Sequence, residues 1–105
     1  MGASEHLDNI LHADEVIVAH AVLPDVRLAV TDRRLAVVTD YRIALDLPYR
    51  KLRRIQFDVE RTRPATLVIV PEEASAEPQV LAVPPETIES VAQAVGAIGL
   101  RLSEI

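Results

Sequence analysis

Seven runs of small and branched apolar residues, each bounded by turn-forming or charged positions, set the rhythm of the chain. Val16–Val22 (VIVAHAV), Val26–Thr31 and Arg34–Thr39 come first, separated by Leu23-Pro24-Asp25 and by the polar word Thr31-Asp32-Arg33-Arg34. Arg42–Leu47 alternates Ile43, Leu45 and Leu47 against Arg42, Ala44 and Asp46, the period of two that gives a strand one buried and one wet face. Pro48 ends it, because proline cannot donate to a ladder. Leu52–Val59, with Ile55, Phe57 and Val59 on one face, Ala65–Val70 and Gln79–Val83 complete the set. The period then changes. After Pro85, suited to the first position of a helix, Ile88, Val91, Val95 and Ile98 step by three, four and three along one helical face, and Gly99 is placed to stop it.

At the other end, Ser4 is placed to cap a short helix within residues 1–13, with Leu7, Ile10 and Leu11 on one side. The expected organisation is one mainly β domain of 105 residues. It comprises a short N-terminal helix (1–13), seven strands (15–83), a C-terminal amphipathic helix (85–98) and a tail (100–105). PEEASAEP, between the sixth and seventh strands, reads as an acidic solvated loop.

Between the second and third strands, four polar residues span the length of an ordinary hairpin connection, and Asp32 readily makes turn hydrogen bonds. The simplest expectation for TDRR is a hairpin whose arginines stay in water.

These words resemble a known family. Val30-Thr31-Asp32-Arg33-Arg34-Leu35 is similar to the Leu-Thr-Asp-x-Arg-Leu hairpin of bacterial pleckstrin-homology (PH)-like and GRAM-like domains. Ala13-Asp14-Glu15-Val16 resembles their lead-in to the first strand, and Leu47-Pro48-Tyr49-x-x-Leu52-x-x-Ile55 their join between the fourth and fifth. The resemblance implies a seven-stranded antiparallel barrel closed by the C-terminal helix. It also implies a non-enzymatic interaction module, since PH-like barrels commonly bind partners along a groove between that helix and a neighbouring strand. Relatives in bacteria can form rings, so self-assembly is a second expectation. The phosphoinositide clamp does not carry over. Where lipid-binding PH domains place a lysine late in the first strand and an Arg-x-Arg pair in the second, this chain has only His20, and Arg27 is followed at i+2 by Ala29.

Composition narrows the chemistry. The chain has no cysteine, which excludes thiolate nucleophiles and Cys-based zinc sites, and its three glycines cannot furnish a phosphate-cradling loop. Its four serines lie in no nucleophile-elbow context, and His6 and His12 are off the spacing for two ligands on one helical face. No catalytic, cofactor or metal site is therefore expected. No apolar run reaches the roughly 18 residues of a membrane span, and the first nine residues carry two acids and no base, unlike a secretory leader. A cytoplasmic protein is the expectation, with any membrane association peripheral, at the inner face.

Charge is unevenly spread around the net −5. Residues 1–26 carry five acids and no Lys or Arg, residues 27–63 carry ten of the eleven bases, and residues 64–105 carry six acids and Arg101. Within the basic middle, Arg50, Lys51, Arg53 and Arg54 beside Tyr49 form the candidate patch for an anionic partner. Anionic lipid would attract such charges by about 1 kcal/mol each. Nucleic acid is not expected of a chain with three aromatic residues and this net charge. The tail Leu100-Arg101-Leu102-Ser103-Glu104-Ile105 alternates apolar and polar residues, so Leu100, Leu102 and Ile105 are candidates for adding a strand to a neighbouring copy.

Overall fold

The computed structural model describes residues 11–103. Seven strands follow in order: β1 (Ile17–Leu23), β2 (Val26–Thr31), β3 (Arg34–Thr39), β4 (Ile43–Pro48), β5 (Leu52–Asp58), β6 (Ala65–Pro71) and β7 (Gln79–Val83). A 3-10 turn, Tyr49–Lys51, joins β4 to β5; a second, Pro85–Thr87, leads into the helix α1 (Ile88–Leu102). The second, third and seventh strands coincide with the sequence reading, and the rest begin or end one residue away from it.

The strands form two antiparallel sheets, β1-β2-β3-β4 and β5-β6-β7, in place of the single closed barrel expected. Closure would need β4 to pair with β5 and β7 with β1. Pro48 ends β4 and the 3-10 turn swings the chain away, so the next strand starts a new sheet. Pro78 and Pro84 bracket β7 and hold it to five residues.

Alternation along the strands fills one core between the sheets. Leu28 and Val30 of β2, Leu35 and Val37 of β3, and Leu67 and Ile69 of β6 are fully buried in it. From the helix come Val91, Ala94 and Ile98, while Ile88 and Val95 pack partly buried around them. The buried stripe of α1 is thus centred slightly off the predicted one. The helix lies foremost against β1.

Two expectations about the ends change. The helix does not stop at Gly99. A glycine ends a helix by adopting positive φ, and none of the described glycines does. Leu102, one turn beyond Ile98, packs against the core and carries the helix through to itself. The predicted N-terminal helix falls largely outside the described residues; Leu11, His12 and Ala13 are not helical. Leu11 packs on a second, smaller cluster, Ala29, Ala36 and Val38, on the other face of the first sheet.

Candidate functional site

Thr31-Asp32-Arg33-Arg34 forms the β2–β3 hairpin, but its arginines are not left in water. The Arg34 guanidinium grips Glu15 as a fork, with Nε to Oε2 and Nη2 to Oε1 both 2.9 Å. Its Nη1 reaches the Asp46 carboxylate on β4 at 3.1 and 3.2 Å. The Glu15 side chain is wholly covered and that of Arg34 only 15% exposed. The Thr31 hydroxyl donates to Glu15 Oε2 at 2.6 Å while accepting the backbone N–H of Arg33 and of Arg34, each at 3.0 Å. The His12 N–H donates to the remaining Glu15 oxygen at 3.1 Å. Asp32 ties the same segment down: its carboxylate accepts the Val16 N–H, and its own N–H donates to the Val16 carbonyl. From the β4–β5 join, the buried Tyr49 hydroxyl donates to the Thr31 carbonyl.

The electrostatics follow from this wiring. Burial alone would push the Glu15 carboxyl up, but the Thr31 hydroxyl, the His12 N–H and the Arg34 guanidinium outweigh it and hold it below the usual carboxylate range. Burial works equally against the Arg34 charge, and its hydrogen bonds to Glu15 and Asp46 raise its pKa in spite of that. Burial pushes the Tyr49 phenol up to about 12. Arg33 is different. It pairs with Asp14 at 2.6 Å on the surface, where both side chains are largely exposed, and the Arg33 hydrogen bond lowers the Asp14 pKa.

This joint connects three distant stretches, the lead-in at 12–16, the hairpin at 31–34 and the β4–β5 join at 46–49. Its donors and acceptors face one another, so the joint ties the three stretches together as a structural lock. The three words on which the resemblance rests meet here.

The candidate anionic patch lies beside the joint. Arg50 and Lys51 sit in the 3-10 turn, Arg53 and Arg54 at the start of β5, and all four are exposed. A bulge makes this possible. β5 pairs Leu52 with Pro71 and Arg54 with Val70, so Arg53 is an extra residue. Leu52 and Ile55, an odd step apart, can then both point toward the core while two adjacent arginines face water. Only Lys51 stands near a carboxylate, with its Nζ 3.8 Å from Glu73; among the described residues Arg50, Arg53 and Arg54 make no ion pair.

The candidate self-association edge is not assembled. With α1 continuing to Leu102, Leu100 points outward at 64% exposure and Leu102 packs inward, so the alternation expected of an added strand is replaced by helical spacing. Ile105 lies outside the described residues, as does His6.

A feature the sequence reading passed over runs along β1. This strand is the edge of its sheet, and between it and α1 lies a groove of about 520 Å³. Val18, His20 and Val22 line one wall and Ser90, Gln93 and Ala97 the other. In the sequence His20 stands out only as the residue found where lipid-binding PH domains carry a lysine. The signal that could have found the groove was the absence of any charge or proline from Ile17 to Leu23.

No protein-family model and no curated protein matches the sequence. Two solved structures do match in three dimensions. A DUF1696 family protein with a pleckstrin-homology domain from Shewanella loihica PV-4 superposes with a TM-score of 0.70 at 15% identity, covering 94% of this chain and 89% of that one. A pleckstrin homology domain from Shewanella amazonensis SB2B gives 0.68 at 20% identity, over 95% and 84%. The fold is pleckstrin-homology-like. That likeness spans both sheets and α1 of the PH-like domain described here, and at this identity it speaks for architecture alone. Among the described residues no helix of the PH-like domain is long and apolar enough to cross a membrane. Nor do three or more of their His, Asp and Glu side chains group closely enough to hold a metal ion.

Proposed function

We propose that this domain is a non-enzymatic interaction module of PH-like fold that takes an extended protein strand at the free edge of β1, beside α1. The observation that carries the reading is the groove itself: a sheet edge and a helix flank facing each other across about 520 Å³. An edge strand offers a row of unmet N–H and C=O groups that an incoming strand satisfies with main-chain hydrogen bonds, and pockets for alternate side chains supply selectivity. The helix wall contributes Thr87, Ser90 and Gln93, uncharged donors and acceptors suited to a peptide backbone or amide.

The test is a selection of displayed random peptides on the wild-type domain and on His20→Pro. Proline at an edge position whose N–H faces outward removes that donor without touching the ladder inside the sheet. Enrichment of extended peptides by wild type, lost with His20→Pro, supports the module. If wild type enriches no peptide beyond background, the reading fails.

A second reading is favoured by one observation, the exposure of Arg50, Lys51, Arg53 and Arg54, of which only Lys51 stands near a carboxylate. It is peripheral attachment to an anionic membrane without a headgroup-specific pocket, drawing on about 1 kcal/mol per basic residue at the surface. Co-sedimentation with phosphatidylserine-containing vesicles should then fade with salt and disappear when all four residues become Glu. Absence of binding at low salt removes this reading and leaves the first untouched.

A further inference from the structure

Val18 to Val22 reads Val-Ala-His-Ala-Val in both directions. Two copies of such a segment laid antiparallel across a two-fold axis at His20 present the same side chains to each other at every step: His20 to His20, Ala19 to Ala21, Val18 to Val22. Resting on the strand-docking reading above, we infer that the strand β1 takes is β1 of a second copy, giving an isologous dimer.

The backbone is set up for this. Pro24 and Asp25 make a two-residue turn between β1 and β2, with Asp25 at φ 61°. A hairpin this tight closes on a hydrogen-bonded pair, here Leu23 with Val26, and antiparallel pairs alternate from there. Ala21–Leu28 is therefore hydrogen-bonded within the sheet, while Val22–Arg27 and His20–Ala29 are not. The N–H and C=O of His20 and Val22 consequently point away from β2, toward the free edge. In the dimer the two His20 residues exchange both bonds, and their Cα atoms stand about 5.5 Å apart. A bulge between Ile17 and Ala19 makes Val18 the extra residue, so the regular run of the edge is Ala19–Val22 and Val18 stands at its end.

The other sheet edges carry the usual safeguards against such pairing. β4 bears Asp46 and ends in Pro48; β5 opens with the charged pair Arg53 and Arg54; β7 is five residues long between prolines. Seven-residue β1 has no charge and no proline, and its Val18 and Val22 are 42% and 53% exposed. Nothing on this edge repels its own copy, whereas a strand bearing charge would find no opposite charge along it.

The chain has no cysteine, so His20→Cys gives a single-thiol protein. Treatment with a short bis-maleimide should join His20→Cys copies and leave a Val80→Cys control, on the edge strand β7 and 67% exposed, unjoined. Light scattering should give twice the chain mass for wild type at high protein concentration. The chain mass should be found for Val22→Arg, which places two like charges in the interface by symmetry and none in the core. A wild type that stays monomeric overturns the inference, and so does a dimer that survives Val22→Arg without cross-linking through residue 20. In either case, peptides enriched by wild type and lost with His20→Pro would leave the module standing with a different occupant.

Discussion

Arg34→Met tests the buried joint with little change in side-chain length. Methionine fills much of the same space but leaves the Glu15 carboxylate, wholly covered, with two of its four hydrogen bonds: those from the Thr31 hydroxyl and the His12 N–H. Removing one partner of a buried ion pair costs about 3–5 kcal/mol. The surviving donors and the 15% exposure of Arg34 place this case at the lower end, about 3 kcal/mol. For a domain of this size that corresponds to a fall of roughly 12–24 °C in melting temperature. Arg33→Met, one residue away, removes only an exposed pair with Asp14 and should leave the melting temperature nearly unchanged. The pH dependence separates loss of charge pairing from loss of packing. In wild type the Glu15 pKa is lowered, so its contribution is complete above the unfolded value of about 4.3 and is lost as pH falls through the folded value. In Arg34→Met the guanidinium no longer helps to lower the same carboxyl while burial still opposes its charge, so its pKa rises from the wild-type position, and the deficit should be largest at neutral pH and narrow on acidification toward pH 4. Urea unfolding of the three proteins between pH 7 and 4 measures both effects. Equal losses from Arg33→Met and Arg34→Met, or a deficit independent of pH, would refute the argument.

Further expectations concern α1 and the β4–β5 join. Gly96→Ala and Gly99→Ala should each raise stability by about 1 kcal/mol in thermal melts, because both glycines lie within the helix at ordinary φ and an added methyl meets nothing within 4 Å. Val91→Asp, which buries a carboxylate at a fully covered position of the helix, should abolish the folded circular-dichroism spectrum. In Tyr41→Phe, the remaining phenol, Tyr49, should titrate by absorbance at 295 nm at about 12 while the domain is folded. Because this pKa is raised above the unfolded value, stability should decline as pH rises beyond about 10.

Much of the architecture was legible along the chain because apolar periodicity and prolines are local signals. Seven strands and a terminal helix follow from them, several to the residue. The partition into two sheets was not, since whether β4 continues into β5 depends on how far Pro48 and the 3-10 turn divert the backbone. Gly99 misled for a related reason: glycine permits a helix to stop but does not compel it, and Leu102 reaching the core decided otherwise. Leu100 and Leu102 therefore lost the alternation that had suggested an added strand. The burial of Arg34 was hidden because its partner Glu15 is 19 positions away, although both stood in the words that prompted the resemblance. Arg50, Lys51, Arg53 and Arg54 were found as a group, yet the bulge that turns two neighbouring arginines outward could be seen only in the register of β5 against β6. The groove has no unusual residue to mark it in the sequence, only the plainness of β1, a strand without charge or proline.

The lock joining Glu15, Thr31, Arg34 and Tyr49 shares no side chain with the groove walls at Val18–Val22 and along α1. A chain can therefore keep every letter that makes the domain recognisable while rewriting every letter that lines the groove. Kinship inferred from those letters sorts proteins by how they are built, and says little about the company they keep.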